Sequence, residues 1–133
     1  MLFQKTTPAE KRAAFRAALK TGKLLRFPGA FSPLVSLLIE DLGFEGVYIS
    51  GAVLANDLGY PDIGLTTLSE VAGRGRQIAR VTKLPAIIDI DTGFGNAFNI
   101  ARTIKQCIKA GAAAVHIEDQ VQAKRCGHRP NKA

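Results

Sequence analysis

Four acidic side chains sit in short polar segments that follow apolar runs: Asp62 in Tyr60-Pro61-Asp62, Asp89 and Asp91 in Asp89-Ile90-Asp91, and Glu118 in His116-Ile117-Glu118-Asp119. Asp89 and Asp91 are two positions apart at the end of an expected strand, which points both side chains to one face. With Asp62 and Glu118 from neighbouring loops they make a hard, oxygen-rich site suited to Mg2+, or to Mn2+. The alternative, one aspartate capping the next helix and the other solvated, stays open at this point. His116, two residues before Glu118, is placed to orient a ligand or to neutralise substrate charge. A second group is Lys124-Arg125-Cys126-Gly127-His128. Positive charge beside a thiol lowers its pKa, so Cys126 suits a nucleophile or a proton donor, against the plainer reading of an exposed surface thiol. Cys107 recurs with Ile100, Ile104 and Ile108 at helical spacing and reads as a small core residue. Ser50-Gly51-Ala52 offers a hydroxyl and backbone N–H groups to a carboxylate or oxyanion. Gly93-Phe94-Gly95 lacks the third glycine and the lysine of phosphate-binding loops and reads as a tight turn.

The elements that must position these groups alternate. Helical spacing covers Pro8 to Lys20, within an N-terminal helical segment of residues 1–22 that Gly22 stops. A short apolar strand is expected over Leu24 to Phe27. Ser32 has the chemistry of an N-cap, with Pro33 at the first position of a helix ending near Gly43. Strands follow over Val47 to Ser50, Ala86 to Ile90 and Ala113 to Ile117, with helices over Leu68 to Val81 and Asn96 to Ala110. A loop rich in Gly and Pro-Asp occupies Leu58 to Thr66. Ala86 to Ile90 shows no polar alternation, as expected of a strand buried on both faces. Strand–helix alternation with short connections means a parallel sheet with right-handed crossovers, and hence an α/β fold. Two architectures fit, a small open sheet or part of a (β/α)8 barrel; a complete barrel takes about 250 residues.

Composition bounds the reading. The chain has 133 residues, 47% hydrophobic and 22% charged, which excludes general disorder and fits one domain over 1–133. No apolar run approaches the length of a membrane span, and Met1 to Lys20 carries charges where a secretion signal needs an apolar stretch. Two cysteines without metal-like spacing argue against a disulfide framework or a zinc ribbon, so a cytoplasmic, reducing setting is expected. Residues 1–26 carry Lys5, Lys11, Arg12, Arg16, Lys20, Lys23 and Arg26 against Glu10 alone, and so account for nearly all of the net charge of +7. That segment reads as a solvated helix face. With aromatics at 7% and no nucleic-acid motif, neither nucleic acid nor membrane is expected as a partner.

The loop Lys124-Arg125-Cys126-Gly127-His128 resembles the signature loop of the isocitrate lyase and phosphoenolpyruvate mutase superfamily, and Arg129-Pro130-Asn131-Lys132 is similar to its methylisocitrate lyase branch. Tyr48-Ile49-Ser50-Gly51, Gly59-Tyr60-Pro61-Asp62, Asp89 to Gly95 and His116 to Gln120 follow in that family's order, from about Phe15 onward. The resemblance implies a (β/α)8 TIM barrel of which this chain holds the first four βα units, an incomplete barrel. It implies Mg2+ held by Asp89 and Asp91, with Asp62 and Glu118 reaching it directly or through water. Ser50, Gly51 and Ala52 are expected to bind the pyruvate portion of a small tricarboxylate. Cys126 is expected to protonate the succinate portion, with Gly127, His116, Lys124 and His128 at the substrate. Carbon–carbon cleavage in propionate breakdown, a homotetramer for the full-length family, and an inactive short chain are the further expectations. The alternatives are an isocitrate lyase, another member of the superfamily, or a non-catalytic half-barrel.

Overall fold

A computed structural model describes residues 4–132. The element order is α1 (Pro8–Leu19), α2 (Pro33–Asp41), β1 (Val47–Ile49), α3 (Gly51–Asp57), α4 (Leu68–Ala79), β2 (Ala86–Asp89), α5 (Ala97–Ala110) and β3 (Ala114–His116). The expected helix starts and stops are local chemistry and are met. Ser32 Oγ accepts the Val35 N–H with Pro33 in the first turn, and α5 ends at Gly111, whose φ of +93° is the left-handed cap. A short helix not expected from the sequence, α3, follows β1 directly, capped by Ser50 Oγ accepting from Val53. Residues 1–3 of the expected N-terminal helical segment lie outside the described residues, and α1 itself begins after Thr7.

The three strands are parallel in the order β1-β2-β3. The first expected strand, Leu24 to Phe27, is absent. The Arg26 amide donates to Glu45 Oε2, and its guanidinium grips the same carboxylate, so this stretch is tied to a side chain instead of a ladder. Pairing beside β1 shrinks to one bridge, Gly29 with Tyr48, with Tyr48 N–H donating to Pro28 O and Ala30 N–H to Tyr48 O.

Register makes the sheet one-sided. Val47 and Ala86 form one cross-strand row, and Ile49, Ile88 and Val115 another; the β1 and β2 members are at most 2% exposed. The alternate row, Tyr48, Ile87 and Ala114, is only half-buried, and His116 beside Asp89 is exposed. β2 is accordingly buried at Ala86, Ile88 and Asp89 and half-buried at Ile87: a helix layer covers the Ala86 and Ile88 face, and the described residues cover the other in part. The layer runs α2-α4-α5, with α4 against α2, α5 and β2. Gly75 allows this approach, since a Cβ there would stand 2.6 Å from Ile88 Cδ1. The α4 stripe Val71, Gly75, Ile78 and Ala79 is the buried one.

α1 sits across the C-terminal end of α4. The buried Lys11 ammonium donates to Ala79 O at 2.7 Å and Thr82 O at 2.5 Å, and Arg12 reaches Ala112 O. Part of the N-terminal basic segment, read as a solvated face, is therefore structural: cations end helices whose last carbonyls lack partners. Phe15 on α1 packs on Phe27 with ring centroids 5.2 Å apart.

Candidate active site

The site gathers at the C-terminal edge of the sheet. Asp89 closes β2, and its Oδ1 accepts the Asp91 N–H at 3.0 Å while Oδ2 accepts the Gly51 N–H at 3.1 Å. Asp91 lies beyond the strand with φ +49°, so the two carboxylates do not converge through strand pleat. A turn brings them together. A Cβ on Gly51 would lie 3.1 Å from Asp89 Oδ2 and 3.2 Å from Asp91 Oδ1, which places both carboxylates closely around one backbone glycine.

Lys124 enters from the loop after β3. Its ammonium is 2.6 Å from Asp91 Oδ1, 2.7 Å from Asp62 Oδ1 and 3.8 Å from Glu118 Oε2, with Lys124 itself 3% exposed. Burial alone would lower the ammonium's pKa, but the contacts with Asp62 and Asp91 outweigh it and raise it, so Lys124 stays charged. Burial pushes the Asp91 carboxyl up, against the opposing pull of Lys124. Asp91 Oδ1 is held by that ammonium at 2.6 Å, and the pair is what pulls against the burial of the Asp91 carboxyl. Among the described residues no three His, Cys, Asp or Glu side chains form a ready cation cage.

Glu118 is fixed by its backbone N–H donating to Asp91 O at 2.7 Å and by Gln120 Nε2 donating to its Oε2 at 2.6 Å. Gln120 also bridges Arg125 through the Arg125 carbonyl and amide, and so splints the two loops. A Cβ at Gly127 would stand 2.9 Å from Glu118 Oε1, so the cysteine loop touches the carboxylate group at that glycine. Lys132 donates to the Gly127 carbonyl.

His116 Nδ1 is 2.9 Å from the Tyr48 hydroxyl. Burial, reinforced by the charges of Asp89 and Glu118, pushes the Tyr48 phenol up to about 12, which keeps it protonated. Tyr48 and Gln120 are the site residues that sequence reasoning missed. The signal for Tyr48 was available, since it lies two positions before Ser50 on the sheet's open face.

Of the expected site residues, Asp62, Asp89, Asp91, Glu118, Lys124, Gly51 and Gly127 come together, with Ser50 and Ala52 adjacent at the start of α3. Cys126 is a half-buried free thiol whose sulfur has no polar partner among the described residues. His128 is exposed. A cavity of 530 Å³ opens beside Asp91 and Lys124, with Thr67, Asn99 and Arg102 on its wall.

The family described as phosphoenolpyruvate phosphomutase matches residues 15–132. The chain belongs to that family. It is 59% identical over 125 residues to "Probable 2-methylisocitrate lyase 2" of Corynebacterium glutamicum, covering 94% of this chain and 41% of that protein. It is 45% identical to 2-methylisocitrate lyase of Aeropyrum pernix, covering 100% of this chain and 44% of the relative. The chain thus spans about two fifths of the length of these curated relatives. Among solved structures it resembles a phosphoenolpyruvate phosphomutase from Streptomyces platensis subsp. rosaceus (TM-score 0.85, 34% identity, 90% of this chain and 42% of that one). It also resembles a 2,3-dimethylmalate lyase (0.85, 35%, 97% and 43%) and a phosphonopyruvate hydrolase complexed with oxalate and Mg++ (0.83, 40%, 86% and 40%). The α/β fold with a parallel sheet is therefore that of the superfamily.

Proposed function

We propose that the chain forms the cation- and carboxylate-binding side of a carbon–carbon lyase that cleaves 2-methylisocitrate to pyruvate and succinate, in the breakdown of propionate. The observation that carries this reading is the meeting of Asp62, Asp91 and Glu118 around one buried lysine, with Asp89 beside Asp91 at Gly51, in a chain 45–59% identical to 2-methylisocitrate lyases. On this reading the chain is the first part of a (β/α)8 barrel, cytoplasmic and tetrameric in its full-length form.

The oxygen-only donor set of Asp62, Asp89, Asp91 and Glu118 has the chemistry of a divalent-cation site, for Mg2+ or Mn2+, and the Lys124 ammonium is the cation that Asp62 and Asp91 hold here. Asp89 and Asp91 would hold it, with Asp62 and Glu118 next to it. Such an ion supplies Lewis-acid polarisation of the substrate's hydroxyl and carboxylate oxygens. The Ser50 hydroxyl, as donor, and the Ala52 N–H bind the carboxylate of the pyruvate portion beside Gly51, whose own N–H is taken by Asp89. A site carboxylate takes the hydroxyl proton, the C–C bond breaks, and its electron pair passes to the succinate portion. The Cys126 thiol protonates that carbon, and Lys124, His116 and His128 offset the charge of a tricarboxylate. Gly127, against Glu118, brings the cysteine loop up to the substrate.

The test is a chimera in which residues 15–132 replace the matching segment of the C. glutamicum relative. Pyruvate release from 2-methylisocitrate is expected, lost by more than about a hundredfold on Cys126→Ser. The 133-residue chain alone is expected to release none. A folded chimera without pyruvate release refutes the reading. Glyoxylate from isocitrate in excess of pyruvate moves it to the isocitrate-cleaving alternative.

A further inference from the structure

Between α4 and α5 runs a groove of 390 Å³ that the chemistry above does not use. Arg76 stands on its α4 side, Arg102 and Lys109 on its α5 side, and all three are exposed. None of these side chains makes an ion pair or a hydrogen bond among the described residues, and no carboxylate lines the groove. By contrast Arg74, on the same helix as Arg76, pairs with Asp57 at 2.9 Å. Three like charges around one groove repel each other, and an anion between them removes that repulsion. The floor is small. Ala72 lies on it, and a Cβ added at Gly73 would meet nothing within 4 Å, so an ion can come close to α4. Gln106 adds a half-buried amide to the wall.

We propose that this groove binds a chain of linked phosphate groups, the chemistry shared by inorganic polyphosphate and a nucleoside triphosphate. Arg102 and Lys109 lie on one helix, two turns and about 10 Å apart along its axis, which is more than one phosphate group spans and suits two or three in a row. The two guanidiniums favour phosphate, whose oxygens accept paired N–H donors, and the lysine supplies a point charge at the far end. An acidic peptide fits less well, because its backbone amides need acceptors and the floor at Ala72 and Gly73 presents no side-chain acceptor. Arg102 also lines the cavity beside Asp91 and Lys124. The bound phosphates therefore sit next to the candidate active site without meeting its carboxylates, and the proposal stands whether or not the lyase reading does.

The test is isothermal titration calorimetry of the 133-residue chain with inorganic tripolyphosphate, without divalent cations, at about 0.15 M salt, where distant charges are screened. Saturable one-to-one binding is expected. Arg76→Gln with Arg102→Gln is expected to weaken it at least about tenfold, with circular dichroism unchanged because both positions are exposed. Lys109→Gln alone should weaken it about threefold, and it carries the same test if the double variant loses helix signal. Lys5→Gln with Lys23→Gln removes equal charge from exposed positions of the N-terminal segment and should leave the affinity within about twofold. Equal affinity for a nucleoside triphosphate assigns the site to the phosphate chain, and a tighter nucleotide assigns it to nucleotides. No saturable binding, equal losses in the two double variants, or tighter binding of sulfate or of a polyglutamate peptide overturns the proposal.

Discussion

Replacing Lys11 by Met asks whether a cation in a basic N-terminal segment is structural. The ammonium makes two hydrogen bonds to carbonyls, Ala79 O and Thr82 O, at a position 3% exposed. Bonds from a charged donor contribute about 1.5–3 kcal/mol each. Against this stands the cost of burying the charge, visible as burial holding the Lys11 pKa low against the pull of Glu40. Met keeps the aliphatic packing and removes that cost, but strands both carbonyls. The net loss is therefore about 2–4 kcal/mol, a fall in Tm of about 8–16 °C at roughly 4 °C per kcal/mol for a chain of this size. Urea and thermal unfolding by circular dichroism measure it. A linked pH experiment checks the cause. Because the folded pKa lies below 10.5, the unfolded state binds more protons in that window, so the stability gap between parent and Lys11→Met should widen as pH rises toward 10.5. A loss under about 0.5 kcal/mol, the usual range for surface changes, would refute the claim that α1 is anchored through this side chain.

Gly46→Ala should cost about 1–3 kcal/mol, because the new Cβ would stand 2.0 Å from Phe27 Cε1 and the ring must leave its place beside Phe15; chemical unfolding measures it, and an unchanged midpoint rejects it. Iodoacetamide should label Cys126 and spare Cys107, which is 0% exposed and whose thiol burial pushes up to about 11, until denaturant is added; peptide mass spectrometry reads the sites. Hydrogen bonds from the Arg26 side chain and amide hold the Glu45 carboxyl down to about 2. NMR should show it titrating there and returning toward 4.5 in Arg26→Ala, with the pair's contribution present above 4.5 and lost as pH falls through about 2.

What was legible in the sequence was local. Ser32-Pro33 and Gly111 mark helix ends because a cap depends on a few neighbouring residues, and the strand–helix order follows from spacing alone. Leu24 to Phe27 looked like a strand because apolar residues say nothing about whether a partner strand exists, and the Arg26 tie to Glu45 spans 19 positions. The carboxylate group was legible as a set, though the reason given for Asp89 and Asp91 was wrong: the left-handed turn at Asp91, not pleat, aims the second one. Lys124 was expected near substrate. That it would bury its ammonium against Asp62, 62 positions away, is a tertiary fact that no local pattern encodes.

The one-sidedness of the sheet bears on how reactions diverge. Along a strand as short as β1, Val47 and Ile49 answer to volume, packed against helices at no more than 2% exposure, whereas Tyr48 between them turns to the carboxylate edge and meets His116. Neighbouring residues of one strand thus carry separate burdens, and those on the open face can be exchanged without disturbing what the helices have closed. That separation gives a physical reason why a phosphomutase, a lyase and a hydrolase share this fold at TM-scores of 0.83–0.85. New reactivity can be written on alternate residues while the packing between them stays as it was.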